Sequence, residues 1–86
     1  MGPMRPPEPA AAPWAVEARI NRLLKQKQRL LEDAIPESRD YLVPFIERVL
    51  VSLKKFPTEY QVGSVANASN LIDIWLAGDL ARKLED

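Results

Sequence analysis

The apolar residues of the first half of the chain recur at intervals of three and four, which is the spacing of a helix with one buried face. Most of the residues between them are strong helix formers. Pro13 suits the first turn of a helix, and Pro36 opposes its continuation. The pattern predicts a first helix from Trp14 to Ala34. Its apolar positions are Val16, Ile20, Leu23, Leu24, Leu30, Leu31 and Ala34.

A second amphipathic segment follows a short connection. Ser38 and Asp40 are both plausible N-caps, so the helix is predicted to run from about one of them to Lys55. Pro44 lies in or just past the first turn if Asp40 is the cap, but it should kink a helix that starts at Glu37. The apolar stripe is wide, which favours packing against two neighbours. It consists of Leu42, Phe45, Ile46, Val49, Leu50, Leu53 and Phe56.

Residues 57–64 are predicted to form the next connection, with Gly63 marking a turn. The third helix is predicted to start at Ser64 or Ser69 and to end near Leu84. Its first half reads LIDIWLAG and is apolar on nearly every side. A helix of that kind is normally buried.

The third helix therefore has two apolar sides, and a domain of this size has no second layer to cover both. The first side is expected to pack on the second helix, and the other to meet another chain. Small residues there would allow a partner to approach closely. The alternative is that Gly78 ends a short helix as a C-terminal cap. The first side is centred on Ile72, Trp75 and Leu76, and the predicted partner interface comprises Ile74, Trp75, Ala77, Gly78 and Ala81.

Together these elements predict an all-α fold, namely a three-helix bundle built as a hairpin plus a third helix. The second helix is expected between the other two, and the short connection over 34–38 predicts an antiparallel hairpin of the first two. The coiled-coil spacing of the first helix and the surplus apolar surface of the third predict self-association. A two-fold dimer is the commonest closed arrangement.

The first 13 residues differ in composition from the rest. They contain five of the eight prolines and no large aliphatic side chain. This predicts a disordered arm over 1–13 and a helical interaction domain over 14–86. The alternative for the arm is a polyproline II ligand, because prolines are available at Pro3, Pro6, Pro7 and Pro9.

The amino-acid composition excludes most kinds of catalytic site. The 86 residues include no cysteine and no histidine, which excludes thiolate ligands and the commonest neutral-pH base. No nucleophile has a base at a recognisable spacing, and no glycine-rich phosphate loop occurs. We expect no enzymatic activity, no catalytic or metal-binding residues and no cofactor.

The N-terminal residues lack the charged stretch and apolar core of a secretion signal. The apolar runs are shorter than a membrane span. We expect a cytoplasmic or nuclear protein that is neither secreted nor bound to a membrane.

Residues 19–29 hold five basic side chains and no acidic one. Arg22, Lys25 and Arg29 cluster opposite the leucines on a helical wheel, and Arg19 lies at the edge of the stripe. These four could contact phosphates, so a small nucleic-acid-binding regulator is the alternative function. The zero net charge and the absence of interleaved aromatic residues weigh against it. Charge runs are more often the solvated face of a helix.

Two further polar features bear on the predicted assembly. Lys27 falls at an a position of the leucine stripe, where a polar residue can fix register or oligomeric state. Alternatively, its aliphatic stem covers the core edge while the ammonium group reaches water. Asp79 and Lys83 are spaced as an i,i+4 ion pair on the third helix, and because the pair lies close to the Ile72/Leu76 face it could form the polar rim of an interface.

The function predicted from the sequence is a small protein–protein interaction or oligomerisation module, such as a docking domain, an adaptor or a regulatory subunit. Its apolar helix faces would bind a second copy of the chain or a partner helix.

Overall fold

A computed structural model describes residues 8–85, and these residues form three α-helices. Helix α1 spans Pro13–Asp33, α2 spans Pro36–Lys55 and α3 spans Glu59–Glu85. Apart from one isolated bridge, the described part of the chain contains no β-structure. The all-α class and the three packed helices are confirmed.

The α1–α2 connection consists of only Ala34 and Ile35, both in an extended conformation. The residue before a proline avoids the helical region, so Ile35 cannot continue α1. Pro36 then forms the first turn of α2, where its missing N–H costs no helical hydrogen bond. For this reason α2 starts earlier than the predicted Ser38 or Asp40, and no side chain caps its first turn.

Because α2 starts at Pro36, Pro44 lies in the helix interior. A proline there removes the hydrogen bond to the carbonyl of Asp40. Both residues are exposed, so water can reach that carbonyl. The helix continues through Pro44 to Lys55.

The α2–α3 connection is also shorter than predicted, because it covers 56–58 rather than 57–64. Thr58 Oγ1 accepts a hydrogen bond of 3.1 Å from the backbone N–H of Gln61 at the start of α3. A threonine oxygen satisfies one of the free N–H groups of a first helical turn in this way. The helix therefore starts at Glu59.

Three residues that were expected to mark the start of α3 lie inside it. Gly63 is not in a turn, and no described glycine has a positive φ. Ser64 and Ser69 are not caps, and Ser69 is fully buried. The predicted start of the third helix was wrong because the cap at Thr58 precedes all three residues.

Helix α1 is the central element. It runs antiparallel to α2, as the predicted hairpin requires, and it packs along α3 as well. Helices α2 and α3 share the smallest of the three interfaces. The prediction that the second helix lies between the others was wrong, because α1 has a polar second face. Gln26 and Arg22 on that face form hydrogen bonds to α3.

The core contains aliphatic side chains from all three helices. Leu24 and Leu31, which belong to the predicted apolar set of the first helix, are 46% and 55% exposed. None of the helices within residues 8–85 is long and apolar enough to cross a membrane. The buried aliphatic residues are Leu23, Leu30, Leu42, Ile46, Leu50, Leu53, Val65, Ile72 and Leu76.

Residues 9–11, which fall within the predicted arm, are joined to the α2–α3 connection. The Pro9 carbonyl accepts a hydrogen bond of 3.0 Å from the N–H of Glu59, and the N–H of Ala11 donates one of 2.9 Å to the Pro57 carbonyl. Residues 1–7, with three of the four prolines of the possible polyproline ligand, lie outside the described residues.

Leu30→Ala should reduce the free energy of unfolding by about 2–5 kcal/mol, because Leu30 is fully buried and its truncation leaves a cavity. The neighbouring Leu31→Ala is the matched control and should cost less than about 1 kcal/mol. Urea unfolding followed by circular dichroism measures both. Equal losses for the two variants would contradict the assignment of the core face.

Candidate functional site

Helix α3 exposes large apolar side chains on the side turned away from the core. Leu71 is 66% exposed, Ile74 68% and Trp75 40%. With 3.6 residues per turn, these three and Gly78 lie on one continuous strip. Tyr41 of α2, which is 63% exposed, borders the strip beside Trp75. We call these five residues the α3 surface.

The predicted interface residues of α3 are all exposed in the described chain. Their contact with another chain stays a prediction. The alternative that Gly78 ends the helix as a cap was wrong, because α3 continues to Glu85 and Gly78 has no positive φ. A Cβ atom at Gly78 would meet no atom within 4 Å. Packing within the chain therefore does not require glycine there.

Trp75 is held in place by α2, as the sequence predicted for this side of the helix. Its indole N–H donates a hydrogen bond of 2.6 Å to Ser38 Oγ. Its ring stacks on Tyr41, with the ring centroids 5.8 Å apart and the planes at 23°. The exposed part of Trp75 thus belongs to a side chain with a fixed orientation.

An open groove of about 170 Å³ lies between α2 and α3 beside Trp75. It exists because these two helices share the smallest interface of the bundle. Leu71 and Trp75 line both the groove and the α3 surface, so the two form one apolar region. The groove is lined by Tyr41, Leu42, Phe45, Ala68, Leu71, Ile72 and Trp75.

Asp79 does not form the predicted i,i+4 pair with Lys83. It is 1% exposed, and its Oδ1 accepts hydrogen bonds from Ser38 Oγ at 3.1 Å and from Arg82 at 3.3 Å. The sequence contains a signal for this position. Asp79 follows Leu76 by three residues and continues the stripe of buried positions of α3, which are Val65, Ser69, Ile72, Leu76 and Asp79.

The four possible phosphate contacts are in different environments. Arg22 is engaged within the chain, because its guanidinium donates to Asn70 Oδ1 at 2.9 Å and pairs with Asp73 Oδ2 at 2.7 Å. Arg19 is half-buried, whereas Lys25 and Arg29 are exposed. Arg22 therefore faces α3 rather than lying in a solvated basic cluster, and nucleic-acid binding stays a prediction.

Asp73 completes the polar contact between α1 and α3. Partial burial alone would raise the pKa of Asp73. Hydrogen bonds from Gln26 and Arg22 and the positive charges of Arg22 and Arg29 oppose this, and the net effect lowers the pKa below its usual 3.8. Gln26 is buried and also donates a bond of 2.8 Å to the carbonyl of Ser69.

Lys27, the candidate register residue, lies at the α1–α2 seam. Its Nζ is 3.5 Å from Glu47 Oε1, and 32% of its side chain is exposed. The aliphatic stem therefore covers part of the seam while the ammonium group reaches the surface. Its role in oligomeric state stays a prediction.

Among the residues that the structure describes, no group of three or more acidic side chains is placed to hold a metal ion. Comparison with protein-family models, with curated proteins and with solved structures gives no match.

Asp73→Asn should lower the free energy of unfolding at neutral pH. As the pH falls, the stability of the variant should decrease less than that of the wild type. A carboxylate with a depressed folded-state pKa stabilises the fold above its unfolded value of about 3.8. That contribution is lost as the pH falls through the lower folded value. Urea unfolding between pH 7 and pH 2.5 should show a gap between wild type and variant that is constant above about pH 5 and narrows below about pH 4. A gap of constant size down to pH 2.5 would show that the pKa of Asp73 is not depressed.

Proposed function

We propose that this chain is a helical protein–protein interaction module that oligomerises through the α3 surface. One observation carries the proposal: Leu71, Ile74 and Trp75 form a continuous exposed apolar strip on a helix whose opposite side is already in the core. Isolated apolar side chains on a surface are ordinary, but contiguous ones mark binding sites.

The size of the surface supports this proposal. The exposed parts of Tyr41, Leu71, Ile74 and Trp75 amount to roughly 500 Å² at the usual size of these side chains. The largest apolar patch on a typical monomer is about 300–600 Å² and is often functional. Two such patches together give the roughly 1,000 Å² that a specific interface requires.

The chemistry of the surface is also that of an interface centre. Aromatic and arginine residues are enriched in such centres, whereas lysine and acidic residues are depleted. The α3 surface contains two aromatic rings and no charged group, and Arg82 lies at its edge. Trp75 and Tyr41 are stacked before any partner binds, so little side-chain entropy remains to be lost on association.

The apolar region offers a partner a strip and a groove, which is the way in which helical docking domains and adaptors bind a helix. We propose a partner helix with an apolar face as the type of ligand. The pairing of Arg22 with Asp73 occupies one of the four possible phosphate contacts and weighs against the nucleic-acid alternative.

Ile74→Asp should abolish self-association and leave the helical bundle intact. Ile74 is 68% exposed, so a carboxylate at this position is hydrated in the monomer. In an interface the same carboxylate would be buried with no cation or hydrogen-bond donor to compensate its charge. Val51→Asp is the matched control, because Val51 is a β-branched residue of α2 that is 66% exposed and lies outside the α3 surface. Sedimentation equilibrium over a wide concentration range measures assembly, and circular dichroism measures helicity.

We expect the wild type and Val51→Asp to assemble alike, and Ile74→Asp to remain a folded monomer. An Ile74→Asp protein that unfolds would place Ile74 in the core and contradict the exposed position. The proposal is wrong if Ile74→Asp assembles as the wild type does, or if the wild type never assembles.

A further inference from the structure

Residues 9–11 precede α1 and lie against the connection between α2 and α3. The Pro9 carbonyl accepts a hydrogen bond from the N–H of Glu59, and the Ala11 N–H donates one to the carbonyl of Pro57. Between these two bonds, residues 10 and 58 form an antiparallel bridge. We infer that residues 9–11 are a strap that couples the chain before α1 to the start of α3, and that withdrawal of the strap loosens the first turn of this helix.

The strap supplies α3 with an acceptor that its own cap does not provide. The N–H groups of a first helical turn have no partner within the helix. Thr58 caps one of them, because its Oγ1 accepts the hydrogen bond of Gln61 at 3.1 Å. The N–H of Glu59 bonds instead to the Pro9 carbonyl at 3.0 Å. The first turn of α3 therefore depends on a residue from the segment before α1.

The strap also holds the cap itself in position. Its two hydrogen bonds lie on either side of Thr58, one at Pro57 and the other at Glu59. The backbone on both sides of the capping residue is thus fixed relative to residues 9–11. Withdrawal of the strap removes the acceptor of Glu59 and releases the backbone that positions Thr58 Oγ1.

Prolines keep the strap extended. Alanine is the best helix former, so the alanines at 10–12 would otherwise continue α1 toward the N-terminus. Pro13 prevents this, because the residue before a proline avoids the helical region, and Ala12 is extended with φ −60° and ψ 138°. The ring of Pro9 fixes φ at the other end of the strap. The strap therefore has little conformational entropy to lose when it docks.

The contacts that hold the strap are weak enough to be broken without unfolding the bundle. Pro9 and Ala10 are exposed and Ala11 is half-buried, so the docked strap buries little apolar surface. The net gain from one backbone hydrogen bond corresponds to about a two- to tenfold change in an equilibrium constant. The strap can therefore open while the aliphatic core stays closed. A protein that binds this segment, or a protease that cuts it, would in this way change the order of α3.

Amide hydrogen exchange in the full chain, followed by NMR, measures the coupling residue by residue. Glu59 and Tyr60 are both exposed residues of the first turn of α3. Among the residues that the structure describes, only the Glu59 N–H of these two has an acceptor outside the helix. Relative to intrinsic rates, the Glu59 amide should exchange at least about threefold more slowly than the Tyr60 amide. Equal protection of the two amides overturns the inference.

Ala11→Pro withdraws the strap by removing the N–H that bonds to Pro57. It should accelerate exchange of the Glu59 amide by about two- to tenfold, the effect of one backbone hydrogen bond. Ala10→Pro is the matched control, because it introduces the same ring one residue earlier, at an N–H that bonds to no acceptor in the described chain. It should leave the exchange rate of Glu59 at the wild-type value. Equal acceleration by both variants contradicts the strap.

A disulfide locks the strap in its docked state and does not depend on how the proline variants fold. The sequence has no cysteine, so Ala10→Cys/Thr58→Cys contains a single possible bridge. Residues 10 and 58 are a non-hydrogen-bonded antiparallel pair, whose Cα separation of about 4.5 Å suits a disulfide. The oxidised and reduced forms of the same protein both lack Thr58 Oγ1, so their difference reports the strap alone.

Oxidation should slow exchange of the Glu59 amide at least about tenfold and leave the amide of the core residue Leu76 unchanged, because the lock acts on the opening of the strap and not on the core. This result, together with the contrast between Ala11→Pro and Ala10→Pro, supports the inference. A pair of cysteines that does not form the disulfide, or a Glu59 amide that exchanges equally fast in the oxidised and reduced forms, overturns it.

Discussion

The Ser38 hydroxyl is the point on which the geometry of the α2–α3 contact depends. It accepts a hydrogen bond from the Trp75 indole and donates one to the buried carboxylate of Asp79. These two bonds join the first turn of α2 to α3 at the smallest of the three helix interfaces. Apolar contact alone would fix the relative position of the two helices weakly there. The Trp75 ring that Ser38 holds in this way also stacks on Tyr41 and forms part of the α3 surface.

Domain size is the second constraint. A bundle of three helices has one core, and α3 can turn only one side toward it. The sequence was sufficient to predict that α3 has more apolar positions than one core can accept. It also assigned Ile72 and Leu76 to the buried side, where they lie. The spacing of apolar residues was sufficient here because the helical period alone decides which residues share a side of α3. That assignment requires no knowledge of the neighbouring helices.

The spacing of apolar residues did not predict the buried positions that polar side chains occupy. Gln26 and Asp79 are buried and were missed, because their burial depends on partners on other helices: Ser69 and Asp73 for the first, Ser38 for the second. The central place of α1 was missed for the same reason. The starts of α2 and α3 were displaced because no side chain caps α2 and because Thr58 caps α3 ahead of the serines that the sequence offered. Nothing in the spacing of residues ranks one possible cap above another.

Trp75 links the polar cluster to the proposed interface. A tryptophan that becomes buried by a partner must satisfy its indole N–H, and an unsatisfied donor would cost about 1–3 kcal/mol of association free energy. In this chain the donor already bonds to Ser38 at 2.6 Å, so what a partner would cover is the apolar remainder of the ring. Ser38 in turn donates a hydrogen bond to Asp79, so the donor of its hydroxyl is satisfied as well. The buried carboxylate of Asp79 thus supplies the acceptor that leaves the hydroxyl of Ser38 free to accept the indole hydrogen bond of Trp75 with its own donor satisfied.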